Sequence, residues 1–525
     1  MKCFSFVLIF AAAMALGCKK QAQTAGSGVS PEGGVAIYSV FSDPMVIWDP
    51  SDTLSDEVIV FQNVYETLLR YNFSEKQYDR VLAESYFRSE DGLLWTFKLR
   101  NGVKFHSGGE LNAGMVKRSI ERLLERGYGA IELWDCLSEI NIIDDFTVEF
   151  KLNFADNFEQ IVSSAYGAYI FDVDAAEANG EAWFEEGNDA GSGPYKILRW
   201  TGGVETALVW FPEYWGGWHE KNFSTIVFKV TPEATVRQLQ LETGEVDISM
   251  GLLSEQLEAL RKDPDIFIED ADKFENLTLL FNTEKPPLSD PMVRRAIAYA
   301  IPYEDIVDKV MLGNARKARG YVPRGLWGHD ENLFSYAQDK AMARRLLTSS
   351  GAAGSQLTIT YVAEDETERQ VAEILRTSLA EIGLNLRLQG MPWDAQWDRA
   401  KAPNPSDRQD LLLILFWPTY ADPYNLLSMA YKSEDSINLN LAYYKNEKFD
   451  SIIEDARHIA GTDNAGAAAL YKKAQEMLIR DVPGIAVFDT KGSLGFRKDF
   501  EGHKSNPYYT GVVYFYKTWR KQAVQ

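Results

Sequence analysis

The chain has 525 residues, of which 46% are hydrophobic and 25% charged, proportions of a globular protein. That length exceeds one ordinary core, so two or more lobes are expected. A net charge of −22 argues against nucleic acid or an anionic membrane surface as the main partner.

The first residues read as a processing signal. Lys2 precedes an apolar run, Phe4 to Leu16, of secretory-leader length and too short to span a bilayer. The run ends at Ala15-Leu16-Gly17-Cys18. This resembles a bacterial lipobox, with Ala15 where a large aliphatic residue is usual. The resemblance implies loss of residues 1–17 and lipidation of Cys18. Cys3 would leave with the leader, and Cys136 would remain as a lone thiol, so no intrachain disulfide is expected. Within Leu133-Trp134-Asp135-Cys136-Leu137 it reads as a buried small hydrophobe. Residues 18–34, the lipidated cysteine and then a Gly-, Ser- and Gln-rich stretch, read as a flexible tether with an r.m.s. span of roughly 20 Å.

Further along, Trp95, Phe97 and Leu99 alternate with polar residues, which predicts a half-buried strand. Asp91-Gly92 and Asn101-Gly102 are turn dipeptides on either side of it. Val103 and Phe105 alternate with Lys104 and His106, predicting a second short strand and hence a β-meander. Asp290-Pro291 is a helix start, and Val293, Ala296, Ile297 and Ala300 follow on one face. Helices are also predicted over Ala341–Leu347, Thr367–Ile382 and Ala467–Ile479. Leu411 to Phe416 is wholly apolar and reads as a strand buried on both faces. This alternation of strands and helices predicts an α/β fold.

Several blocks share one family pattern. They are VLAESYFRSEDGLLWTFKLRNGVKFHSGGELNA over residues 81–113, VYETLL over 64–69, and GSGPY over 191–195 followed by Trp200 and Tyr214-Trp215. Phe281-Asn282 with Pro286-Pro287 and Val293-Arg294-Arg295-Ala296-Ile297, and Trp417 with Asp422-Pro423, complete the set. From Ile37 to Trp519 the chain resembles the oligopeptide/dipeptide family of extracytoplasmic solute-binding proteins, the receptors of ABC importers. The resemblance implies a two-lobe periplasmic-binding-protein-like fold of class II, with hinge-linked lobes and a central ligand cleft. Lobe 1 would comprise 35–70, 190–283 and 487–525. An inserted subdomain would occupy 71–189, and lobe 2 would be 284–486. Crossings near Phe281-Asn282 and Ile485–Phe488 would form the hinge. The resemblance further implies a monomeric, exported lipoprotein, periplasmic or on the cell surface, that hands a small solute to membrane permease subunits.

The residues point to binding, not catalysis. Nucleophile-elbow, P-loop, H-E-x-x-H and C-x-x-C motifs are missing from the sequence. The five histidines show no ligand spacing, so no metal or cofactor is expected. A secreted hydrolase with an unrecognised carboxylate pair is the rival reading. The loop after strand 411–416 lies where open α/β sheets bind ligands. Trp417 and Tyr420 are expected to give apolar contact there. In peptide-binding relatives an aspartate in this loop pairs with the ligand's ammonium, and Thr419 stands in its place here. Asp422 is expected to order the turn or touch the ligand. The family pattern adds Ser42, Asp43 and Met45 after the first strand, and Trp393. Tyr166 to Phe171 reads as core, with the cleft as its other reading. Peptide is the default ligand class; an oligosaccharide or a nickel chelate is the alternative.

Overall fold

The structure, a computed structural model, describes residues 29–180 and 182–521. The leader, Cys18 and the tether up to residue 28 lie outside the described residues. The tether's end departs from the free coil expected of it. Glu32 and Gly33 donate their backbone N–H groups to the carbonyls of Glu220 (2.8 Å) and Asn222 (2.9 Å). A Cβ at Gly33 would sit 2.5 Å from the Lys221 carbonyl oxygen, so only glycine lies this close to the loop.

Strand β1 (Val35–Val40) leads to helix α1 (Val58–Val64) and the hairpin β2 (Leu69–Asn72) and β3 (Gln77–Arg80). The next elements are β4 (Ala83–Arg88), β5 (Leu94–Leu99), α2 (Ala113–Arg126), β6 (Leu137–Asp144) and β7 (Thr147–Leu152). Their strands form a separate sheet in the order β4-β5-β7-β6. Trp95, Phe97 and Leu99 of β5 are fully buried in its core, as the alternation predicts. The second strand expected over Val103–His106 does not form; only a single bridge joins Lys104 to Glu110. His106 is held elsewhere: its N–H donates to the Gly191 carbonyl (2.8 Å), and its ring bonds Asp189 and the Gly193 carbonyl. Besides β4, β5 therefore pairs with β7, which arrives only after α2.

The chain then runs through β8 (Tyr195–Thr201), β9 (Glu205–Trp210), β10 (Thr225–Val230), β11 (Ile248–Ser249) and the long β12 (Ile266–Phe281). Next come α3 (Pro291–Ala300), β13 (Ala315–Lys317), α4 (Lys340–Ser350), β14 (Gln356–Val362), α5 (Glu366–Ile382), β15 (Asn385–Met391) and α6 (Trp393–Ala400). The last part holds β16 (Leu411–Phe416), α7 (Pro423–Tyr431), α8 (Glu447–Ala460), α9 (Asn464–Asp481) and β17 (Gly484–Arg497). One sheet joins both lobes in the order β15-β14-β16-β12-β17-β11-β1-β10-β9-β8, with β13 beside β17. The cap predicted for α3 is present: Asp290 accepts from the Met292 N–H at 2.8 Å, and Pro291 opens the helix. β16 is buried on both faces. Leu411 and Leu413 enter one core of the second lobe, and Leu412, Ile414 and Phe416 the other.

The lobes are joined inside β12 and β17, not at their ends. Residues 266–272 pair with 491–497, the register shifts between Asp272 and Asn276, and 276–280 pair with 484–489. Leu277, Leu279, Phe281, Ile485, Val487 and Phe488 all pack in the second-lobe core. Ile266, Ile268, Leu494 and Phe496 pack with the first lobe. The passage expected near Phe281-Asn282 and Ile485–Phe488 thus falls earlier in β12 and later in β17, because the apolar alternation of both strands runs on into the second lobe. The Cys136 thiol is buried in the core of the inserted subdomain, and burial holds its pKa well above the usual range.

Candidate ligand cleft

A cavity of about 540 Å³ lies where the first lobe, the inserted subdomain and the second lobe meet. That volume lies within the range of small-ligand pockets. Helix α1 and the chain after it supply Gln62, Tyr65 and Thr67, and β2 supplies Arg70. The β2–β3 hairpin adds Tyr71, Phe73, Lys76 and Tyr78. The far side is Phe274 of β12, Trp327 and Ala421. Phe73 meets Phe274 edge-on, with centroids 5.9 Å apart, and the Trp327 indole N–H donates to the Ala421 carbonyl at 3.0 Å. Among the described residues, two buried polar atoms along the wall have no hydrogen-bond partner: Gln62 Nε2 and the Tyr169 hydroxyl.

Beside this cavity the inserted subdomain is bolted to the second lobe. Arg457 of α8 is 3% exposed. Its Nε donates to Asp156 at 3.0 Å, its Nη1 reaches Asp135 at 3.4 Å, and it lies 4.3 Å over the Tyr424 ring. Asn157 donates to Asp422 at 2.9 Å, and Ser164 to the Thr419 carbonyl at 2.7 Å. Burial, reinforced by the Asp156 charge, pushes Asp422 up to about 7.

The loop after β16 forms part of this joint. Trp417 is half-buried against the first-lobe core. The Thr419 N–H donates to Asn425 at 2.6 Å and its hydroxyl to Glu132 at 3.0 Å, so that hydroxyl is already spent. Tyr420, expected at the ligand, is 1% exposed inside the core of the inserted subdomain, its hydroxyl without a hydrogen-bond partner among the described residues. Asp422 caps α7 through the Tyr424 N–H at 2.8 Å. None of these four lines the 540 Å³ cavity; Ala421, between them, does. Asp43 is committed within the first lobe, accepting from the Trp200 indole (3.0 Å), the Gly203 N–H (2.8 Å) and the Met45 N–H (3.0 Å). Met45 is buried in the core, and Ser42 is exposed. Trp393 is 41% exposed and stacks on Trp397 at 5.5 Å. Tyr166 and Tyr169 are both buried, and Tyr169 also lines the cavity, so both readings of Tyr166–Phe171 apply.

The sequence profile of the bacterial extracellular solute-binding proteins, family 5, matches residues 77–438. The chain belongs to this family. Among its relatives is the "Probable D,D-dipeptide-binding periplasmic protein DdpA" of Escherichia coli, 28% identical over 89% of this chain and 90% of that one. "Heme-binding protein A" of Haemophilus influenzae is 26% identical over 85% of each. The structure of the periplasmic binding protein DppA from Helicobacter pylori, in complex with the peptide STSA, superposes with a TM-score of 0.82 at 25% identity. That match covers 94% of this chain and 99% of the other. The two-lobe, cleft-bearing architecture is therefore that of family 5.

This family 5 chain has a second, smaller cavity of about 330 Å³ beside the crossing strands, with Lys273, Glu275, Asp365 and Glu368 on its wall. Its carboxylates have partners: Lys273 reaches Glu275 at 2.6 Å, and Glu368 accepts from the Val362 N–H at 2.7 Å. Burial pushes Glu368 up to about 8. Tyr65, Arg70, Tyr508 and the Arg457–Asp156 pair carry no site signal in the sequence. Tyr65 lies within the VYETLL block, which marks the family and not a site. Arg457 and Asp156 are 301 residues apart, and no local pattern links them.

Proposed function

We propose that this chain is the extracytoplasmic receptor of an ABC importer, binding a peptide or related small solute between its lobes and delivering it to the membrane permease. The observation that carries this reading is the 540 Å³ cavity walled by both lobes and edged by unpartnered polar atoms, in a chain of family 5. A peptide-class solute follows from the relatives, not from a specific ammonium partner in this loop. The receptor does no covalent chemistry. It is a monomer, with lobe 1 at 35–70, 190–283 and 487–525, the inserted subdomain at 71–189 and lobe 2 at 284–486, except that the paired segments 276–280 and 484–489 of β12 and β17 lie in the lobe 2 core. The lobes turn about the β12/β17 passage, and solute favours the shut form because it contacts both walls only there. Lipidation of Cys18 after loss of residues 1–17 would hold the receptor at the membrane, with the polar stretch as its tether.

Mass spectrometry of protein extracted from membranes tests this. Native spectra are expected to show a small solute that is released on unfolding. Denatured spectra are expected to show a chain starting at Cys18 with a lipid increment. Generic peptide and glycoside substrates should remain intact on incubation. Turnover of either would replace the receptor reading with that of a hydrolase.

A further inference from the structure

The 540 Å³ cavity is walled by rings: nine of the twenty residues lining it are aromatic. Four ring contacts run in one series from the inserted subdomain to the C-terminal segment. Centroids lie 5.1 Å apart for Tyr78 and Tyr71, 6.3 Å for Tyr71 and Phe73, 5.9 Å for Phe73 and Phe274, and 6.5 Å for Phe274 and Tyr508. Tyr65 and Tyr169 add a tilted pair at 5.6 Å. Ring faces are electron-rich and ring edges electron-poor, so a wall that presents both suits one more ring. The same wall offers charged groups little. Among the described residues lining it there is no aspartate or glutamate, so an ammonium finds no counter-charge. Lys76 is exposed at the hairpin turn. The Arg70 guanidinium is engaged, 3.9 Å from the centroid of the Tyr514 ring and under the influence of Tyr214 and Glu66. The hydroxyls of Tyr65, Tyr78 and Tyr508 are taken by the Ala190 backbone, Gln160 and Ser164. That leaves two buried polar atoms, Gln62 Nε2 and the hydroxyl of Tyr169, a side chain 4% exposed. A sugar brings a hydroxyl on nearly every carbon, and an extended peptide brings an N–H and a carbonyl per residue. Burying that many polar groups against two free partners is costly.

We infer that this cavity takes a flat, uncharged aromatic group of the solute, held by Phe73, Phe274 and the tyrosine rings, with Gln62 and Tyr169 bonding a polar atom on its rim. The inference rests on the receptor reading above and narrows its ligand class to aromatic solutes. Phe73 stands on the inserted subdomain and Phe274 packs in a second-lobe core, so a ring gripped by both is gripped only when the two are together. The ring could be a peptide side chain or a free aromatic compound; both present the same faces and edges.

Affinity capture from defined pools, by protein stripped of solute through unfolding and refolding, tests it. The pools are tripeptides with a central Phe, Tyr or Trp, the same tripeptides with Leu, Ile or Met, the same with Asp or Lys, free indole and benzyl compounds, and neutral disaccharides. Wild-type protein is expected to enrich an aromatic pool over the aliphatic tripeptides by about tenfold, as ring contacts with two walls allow. Whether the peptides or the free compounds are enriched identifies the source. Phe73→Leu and Phe274→Leu keep an apolar wall without its ring, and each should reduce the preference to below about threefold. Gln62→Leu should weaken capture of phenol-bearing tripeptides by about threefold relative to phenyl-bearing ones, since only the phenol brings a rim acceptor. Melting curves will show whether each variant is folded. Equal capture of aromatic and aliphatic tripeptides by wild type, preferential capture of the charged or sugar pool, or an undiminished preference in both folded phenylalanine variants overturns the inference and leaves the receptor reading intact. Where no pool is captured, the native mass spectrum of the unstripped protein decides. An aromatic solute there upholds the inference, a non-aromatic solute overturns it alone, and no solute of any kind overturns both readings.

Discussion

Arg457→Leu is expected to weaken solute binding by roughly two to three orders of magnitude. Arg457 joins the second lobe to Asp156, a carboxylate only 1% exposed, and also faces Asp422. Breaking a buried pair from one side costs about 3–5 kcal/mol, because the remaining charge stays buried and uncompensated. In the proposed open form Asp156 regains water, so the penalty falls on the shut form, to which solute binds. Titration calorimetry with the co-purifying solute measures the loss. Asp156→Asn added to Arg457→Leu should recover a large part of it, since the orphaned charge is then gone. Unchanged affinity in the single variant would show that this pair does not govern closure.

Thermal stability is expected to rise as pH falls from 8 to 5. Asp422 has a folded-state pKa of about 7, against an unfolded value near the ordinary 3.8. Between those values the folded chain holds a proton that the unfolded chain has released. This contribution is therefore complete below about pH 4 and is lost as pH rises through 7. The slope from one such group is at most about 1.4 kcal/mol per pH unit. Glu57, pushed up to about 7 by burial, and Asp489, pushed up to about 6, act in the same direction. The Arg457 guanidinium opposes the shift of Asp422, and Asp156 reinforces it. Melting temperatures across pH 5–8 check the trend. Asp422→Asn keeps an acceptor for the Tyr424 N–H and should flatten the slope. A wild-type melting temperature that falls with acidification over this range would contradict the assignment.

Local pattern carried most of the fold. The alternation in β5, the cap and proline of α3 and the apolar run of β16 are short-range signals, and the elements form where those signals stand. The Val103–His106 segment fails as a strand because a distant loop, Asp189 to Gly193, claims His106, and a competition of that kind leaves no trace in a short window. Gly191 packs so closely that a Cβ there would lie 2.0 Å from the Val64 carbonyl oxygen, which accounts for the glycines of GSGPY as packing residues. The site was less legible than the fold. The loop from Trp417 to Asp422 was identifiable as a segment, but Tyr420 and Thr419 face the inserted subdomain, whose position depends on long-range packing. Arg70 and Tyr169 reach one cavity from segments about a hundred residues apart.

The central claim is that two lobes close on a small solute. Small-angle scattering tests it most directly, comparing protein stripped of solute by unfolding and refolding with the same protein after readdition of the solute. A smaller radius of gyration with solute and an unchanged circular dichroism spectrum are expected, because the lobes turn about β12 and β17 without remaking either core. An identical radius in both states at saturating solute would contradict it and would point to a rigid, preformed pocket.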